Sequence, residues 1–282
     1  MTARPIGKSA ANTMELETLH VRQDGAVLFA DIAAPPMNLL GTRTGSRSRV
    51  AEQRAEADTA LQVLVFASAD PDYFISHVDV TRIGEYREQA AKLTGEASLG
   101  LLFRYLSKSR LVTIAQIEGR VRGAGSEFAL ACDMRFAARE SAIFSQLEQG
   151  FGLIPGAGGI QHLTRLMGRA RALEVMLSAD DYDAELAGIN RALPAASLGE
   201  FVRSLAHRIA DFPAVGRTAL KDRVNAISLA EADDFRRDSD LFLERGRDPE
   251  TQRRTALAMS RGFQTHDGEI ALPNMLSNLV GR

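Results

Sequence analysis

Cysteine is almost missing from this chain. Cys132 is the only one, and it sits in an apolar, alanine-rich run. A disulfide scaffold within the chain and a cysteine-ligated zinc are excluded, and the expected thiol is buried and inert. Charge of one sign is also scarce. The formal net charge is −2 and there is no long basic block, which argues against nucleic acid or an anionic membrane surface as the main partner. No stretch approaches the ~18 apolar residues that span a bilayer, and the opening MTARPIGKSAANTMELE has no apolar signal-peptide core. A cytoplasmic protein with a small-molecule ligand is the expectation. The five histidines, His20, His77, His162, His207 and His266, lack metal-ligand spacing, so no metal is expected. No Gly-x-Ser-x-Gly elbow occurs. Gly123–Phe128 lacks the third glycine of a dinucleotide fingerprint, and Gly156–Gln161 lacks the Lys-Ser/Thr of a phosphate loop.

What is present is enough chain for one full domain plus an appendage: 282 residues, 45% of them hydrophobic. Residues 1–14 read as a flexible leader. Val21–Ile32 holds an Asp-Gly turn signal between strand-like stretches, and the APPMN of Ala34–Asn38 ends the second strand. Thr42–Ala60 resembles an exposed helix, and the continuous apolar run Leu61–Ser68 a buried strand. A loop over Ala69–Val80 leads into a helical region reaching about Lys108, and Leu111–Glu118 is again a strand. Met134–Ala138 is a further strand candidate. From Gly159 the apolar spacing turns helical, with a break at Gly168, and Phe201–Phe212 is an amphipathic helix stopped by Pro213. Thr218–Arg254 is helix-prone and densely charged. Within it, Asp238–Asp248 suits an oligomer contact, a cover for the core or a solvated surface. The class is α/β, with a core over residues 15–213 and a helical segment over 214–282.

Two glutamates stand out in glycine-bearing segments. Glu127 ends GRVRGAGSE, which runs from a strand through three glycines into a helix starting near that residue. Glu148 directly precedes QGFGLIPGAGG. Glycines permit close backbone approach, and the free N–H groups of a helix start attract developing negative charge, so the first loop suits an oxyanion site. Taken singly, Glu127 reads as a carboxylate facing the helix dipole and Glu148 as a solvated loop residue. A carboxylate beside an oxyanion site points to proton transfer.

Together these segments resemble the crotonase family of enoyl-CoA hydratases and isomerases. The likeness runs from PPMN through YFISHVDV, GAGSE and IPGAGG to NRALP (Asn190–Pro194). It implies a crotonase-like (ClpP/crotonase) spiral of ββα units with a helical C-terminal region that builds homotrimers or hexamers. It implies an acyl-CoA thioester substrate and no cofactor beyond the coenzyme A of that substrate. By position, the backbone N–H groups of Val78 and Ala124 form the oxyanion hole. Glu127 would deprotonate a water for attack on the β-carbon, its helix start favouring the ionised form, and Glu148 would exchange a proton with the α-carbon. The reaction implied is reversible syn hydration of a trans-2-enoyl-CoA. Double-bond isomerisation, another crotonase reaction, or acyl-CoA binding without catalysis are the alternatives.

Three departures from the family pattern stand out. Phe-Ile-Ser-His-Val-Asp replaces the commoner Phe-x-Ala-Gly-x-Asp, Ala124 replaces glycine, and DAELAGIN looks short. Ser76 and His77 are counted with Val78 and Ala124 among substrate-binding residues, the His77 side chain being expected to point to solvent. Asp79 reads as a loop cap, and Arg120 and Arg122 as solvated groups outside the site.

Overall fold

The computed structural model describes residues 13–16, 18–41 and 55–279. Strands β1 (Thr13–Leu16), β2 (Leu19–Asp24) and β3 (Val27–Ile32) form an antiparallel meander. Thr13 and Met14, assigned to the leader from sequence, thus belong to the sheet, while residues 1–12 lie outside the described residues. The expected Asp-Gly turn joins β2 to β3, with Gly25 at φ +59°. The helix expected over Thr42–Ala60 falls mostly outside the described residues.

From β3 onward the chain repeats one device. A strand joins the large sheet, a short strand joins a second sheet, and a helix follows. β4 (Val63–Ser68) pairs parallel to β3. β5 (Tyr73–Ile75) precedes α1 (Ile83–Thr94) and α2 (Leu99–Ser107). β6 (Val112–Ile117) and β7 (Arg120–Arg122) lead into α3 (Ala124–Ala131). β8 (Met134–Ala138) and β9 (Ile143–Ser145) lead into α4 (Glu148–Phe151) and α5 (Gly159–Ser178), the last kinked at Gly168 as its sequence predicts. β10 (Tyr182–Asp183) and β11 (Arg191–Leu193) close the series. The sheets run β1-β2-β3-β4-β6-β8-β11 and β10-β9-β7-β5, so successive units stack side by side.

β4 explains the layering. A strand alternates its side chains between faces, and a strand covered on both is apolar throughout. Leu64 and Phe66 enter the main core, whereas Val63 and Val65 pack against α6 (Ala195–Ala210) through Leu198, Val202 and Ala206, four residues apart on one face.

The remaining chain is helical: α7 (Ala214–Ser228), α8 (Ala232–Gly246), α9 (Pro249–Ser260), α10 (His266–Ile270) and α11 (Leu272–Ser277). Residues 214–279 do not stand apart from the core. Phe235 of α8 packs with Leu101 of α2, and Ser239 Oγ lies 2.8 Å from Ser98 Oγ. The Asp238–Asp248 stretch is therefore a cover over the core. Among the described residues, no helix is long and apolar enough to cross a membrane.

Candidate active site

α8 covers a cavity of about 510 Å³ whose wall includes Val78, Tyr86, Ala124, Glu127, Glu148 and Phe242. The two glutamates come from successive units of the spiral, and the structure brings both to this one space.

Gly123 caps α3 at φ +48°, where a Cβ would lie 2.9 Å from Glu148 Oε1. Only glycine accepts that conformation cheaply and leaves room for the second glutamate. Gly125 is equally constrained: a Cβ there would sit 2.2 Å from the Ile75 carbonyl oxygen. The glycine-rich loop therefore docks α3 tightly against the strand that leads to Val78.

Glu127 is buried in the first turn of α3. Its Oε1 accepts N–H bonds from Ala157 and Gly159, both at 2.8 Å. The second glycine cluster, which fits no nucleotide motif, thus cradles this carboxyl: a Cβ on Gly159 would lie 2.5 Å from the Gln146 amide and 3.1 Å from Glu127 Oε1. Burial raises the Glu127 carboxyl to about 7, outweighing both N–H bonds. The helix start expected to favour ionised Glu127 is opposed by this burial. Desolvation dominates, and the donors that oppose it belong to the loop at α5 rather than to α3.

Glu148 opens α4 and is also buried, not a solvated loop residue. Burial, then the neighbouring charge of Glu127, holds its carboxyl well above the ordinary range. The Gln146 amide, turned so that its nitrogen meets acceptors, donates to Gly123 O and Glu148 Oε2 at 3.3 Å each. Two interacting carboxyls lose their protons in separate steps.

Val78 forms a single parallel bridge with Leu40. The Leu40 N–H donates to the His77 carbonyl at 2.7 Å, and the Asp79 N–H donates to the Leu40 carbonyl at 3.2 Å. In that pattern the N–H of Val78 points away from Leu40. Ala124, the first residue of α3, has no intrahelical acceptor for its N–H. Among the described residues neither amide has a hydrogen-bond partner.

The loop before Asp79 differs most from expectation. Ser76 is buried, with an unpartnered Oγ, and is absent from the cavity wall. His77 does reach that wall, but its ring does not point to solvent. It is 1% exposed, stacks on Phe263 at 4.6 Å between centroids, and bonds Glu269. Asp79 caps the turn that follows through Thr81, in line with its structural reading. Arg122, read from sequence as solvated, is fully buried between Asp181 and Glu269.

Other supporting residues escape sequence reasoning. Asn38, at φ +51°, bonds through Nδ2 to Ser68 Oγ and to the carbonyls of Tyr73 and Phe74, and its Oδ1 accepts from the Ala34 N–H. It fastens the end of β3 to β5, just ahead of Val78. The PPMN segment, a strand stop and part of the family likeness, is its only signal in the sequence. Glu269 had none, lying 192 residues from the His77 ring it holds.

The repeated strand-strand-helix spiral, with two buried glutamates in one cavity that Val78 and Ala124 also line, defines an α/β protein of the crotonase-fold class. A family model described as enoyl-CoA hydratase/isomerase matches residues 22–259, and the chain belongs to that family. A crystal structure of a candidate enoyl-CoA hydratase from Streptomyces avermitilis is 48% identical, with a TM-score of 0.92, over 95% of this chain and 99% of that one. More distant structures share the fold. An enoyl-CoA hydratase from Mycobacterium avium subsp. paratuberculosis K-10 is 23% identical (TM-score 0.73, covering 92% of this chain and 97% of that one). One from Bacillus halodurans is 19% identical (TM-score 0.74, covering 84% and 98%).

Proposed function

We propose that this chain is an enoyl-CoA hydratase, a hydro-lyase that adds water reversibly and syn across the trans-2 double bond of an enoyl-CoA thioester. One observation carries the reading: two buried carboxyls, both with raised proton affinity, line the same cavity as Val78 and Ala124. Enoyl-CoA hydration needs such a pair, one group to take a proton and one to give it.

The thioester carbonyl oxygen accepts from the Val78 and Ala124 N–H groups. A water held between the carboxyls attacks the β-carbon as Glu127 takes its proton. The electron pair of the double bond moves onto the thioester oxygen as an enolate, and each amide donor is worth about 2.7–4 kcal/mol at that stage. Protonated Glu148 then delivers its proton to the α-carbon. Passing the proton on Glu127 to Glu148 restores the starting state. Burial and the charge of Glu127 favour the protonated form of Glu148, the state from which it gives its proton. The reaction needs no metal and no cofactor beyond the substrate's own coenzyme A.

The proposal extends to a homotrimer or hexamer in the cytoplasm. Its support is α7, which exposes Leu220 at 68%, Val224 at 51% and Ile227 at 80% along one face, an apolar stripe that suits contact with further copies.

The test is the decay of enone absorbance with crotonyl-CoA and longer trans-2-enoyl-CoAs, for wild type, Glu127→Gln and Glu148→Gln. Turnover in wild type that is lost in both variants supports the mechanism. Tight acyl-CoA binding without hydration in wild type sinks it, and activity that survives Glu127→Gln but not Glu148→Gln shifts the assignment to isomerisation.

A further inference from the structure

His77 stands where the family pattern has glycine, and its surroundings give it an unusual protonation problem. The Nδ1 atom lies 2.6 Å from the Val78 carbonyl oxygen, and Nε2 lies 2.8 Å from Glu269 Oε1. A carbonyl only accepts. Glu269 Oε1 already accepts the Gln264 N–H at 3.1 Å. Filling both contacts requires a proton on each ring nitrogen unless Glu269 supplies one.

Charge balance argues against a protonated Glu269. Arg122 pairs through Nε and Nη2 with Asp181, at 2.8 and 2.5 Å. Its Nη1 donates to the Glu269 carbonyl at 2.6 Å and lies 3.6 Å from Glu269 Oε2. Asp181, Arg122 and ionised Glu269 sum to one negative charge. An uncompensated buried charge is costly, and a cationic His77 cancels it. Burial opposes ionisation of Glu269, yet the Gln264 N–H bond and the Arg122 guanidinium favour it whatever the state of His77. The near-parallel stack on Phe263, at 12° between planes, places a π face against the ring, which favours a cation.

We propose that His77 is an imidazolium held by Glu269, and that in this form it is a positioning residue for the Val78 half of the oxyanion hole. The inference rests on the hydratase reading only in taking Val78 as that donor. Two peptide planes meet at Val78. The preceding one carries the His77 carbonyl and the Val78 N–H on opposite sides, and the Leu40 N–H pins it. The following one carries the Val78 carbonyl, and His77 Nδ1–H pins it. With both planes fixed, the N–H of Val78 is aimed before substrate arrives, and a positive ring lies in the cavity wall near the developing enolate oxygen. The C-terminal segment braces the same loop from outside, since the Gln264 side chain accepts from the Val80 N–H and donates to Asp79. The charged or titratable groups around the ring are Glu269 from α10, Arg122 from β7 with its partner Asp181, Asp79 in the loop, and Glu148 and Glu127 in the cavity wall.

The first measurement is ¹⁵N NMR of the full-length wild-type protein at pH 7.5, with His77 assigned through His77→Gln. Protons on both ring nitrogens are expected, and one bare nitrogen would overturn the proposal whatever the enzyme's reaction. The second is Glu269→Gln. Its His77 should carry a single proton at pH 7.5, and kcat for enoyl-CoA hydration should fall about tenfold to a hundredfold with KM within about twofold, less than the loss of a whole oxyanion donor. A neutral His77 with unchanged kcat would eliminate the positioning role. The double variant His77→Asn with Glu269→Gln keeps the buried charge balanced, so it tests the same point should the single variant fail to fold. A kcat within twofold of wild type in that double variant counts against the proposal.

Discussion

Glu148 and Glu269 are both buried in a wall or brace of one active-site cavity, yet their environments push them in opposite directions. Glu148 faces another carboxyl, and burial together with that neighbour's charge favours its protonated form. Glu269 accepts from a backbone N–H and from His77, with Arg122 beyond, and is held ionised. Burial is common to both, and pairing decides the outcome. A carboxyl kept protonated at neutral pH can give its proton to carbon. One locked in an ion pair can only position its partner.

The largest effect that sharpens this contrast is loss of the carboxyl proposed as proton donor. Glu148→Gln keeps the shape and removes the transferable proton, so kcat/KM for hydration should fall by about 10²–10⁴, measured by enone decay, while the protein stays folded. Next comes the paired region. Arg122→Met removes the cation between Asp181 and Glu269, and breaking such a buried pair should cost about 3–5 kcal/mol in chemical denaturation. If Arg122→Met instead unfolds at the wild-type midpoint, the ion pair is not what separates the two carboxyls. The third effect is a pH limb. With Glu127 at about 7, its ionised, base-competent fraction shrinks below that pH, so kcat/KM should drop about tenfold per unit on acidification. Deprotonation of Glu148 should lower it again on the alkaline side. Glu127→Gln, assayed for residual rate, should lose the acid limb.

The sequence was most informative where chemistry and backbone geometry share the same residues. The glycines of GRVRGAGSE mark a close approach that any Cβ would block, as Gly123 and Gly125 show, so the α3 loop and Glu127 could be found from the chain alone. A spiral of ββα units was implied by the family resemblance that the same segments carry, whereas the strand order came from the structure. The unreadable parts depend on long-range contacts. Ionisation of Glu127 is set by N–H groups 30 and 32 residues away, opposed by a desolvation that no local pattern reports. The burial of Arg122 and His77 depends on α10, near the end of the chain, folding back over β7 and the Val78 loop. A glycine turn flanked by arginines looks alike whether or not a distant carboxylate covers it.

The smallest effect separates the two regions by stability alone. For Glu127, the folded value near 7 lies above the unfolded one, about 4.5. Its contribution is therefore fully present below pH 4.5 and is lost as pH rises through 7, where the folded protein must hold a buried charge. Glu269 has the opposite sign, since its lowered carboxyl contributes above the unfolded value and loses that contribution as pH falls through the folded one. Glutamine mimics the protonated form of either. Glu127→Gln should accordingly match wild type in Tm near pH 4 and exceed it by about 2 °C or more at pH 8, whereas Glu269→Gln should be less stable than wild type at pH 8 and approach it in acid. Thermal scans of both variants at the two pH values decide this. If Glu127→Gln also melts below wild type at pH 8, its carboxyl is ionised and well accommodated in the folded protein, and it belongs with Glu269 rather than with Glu148.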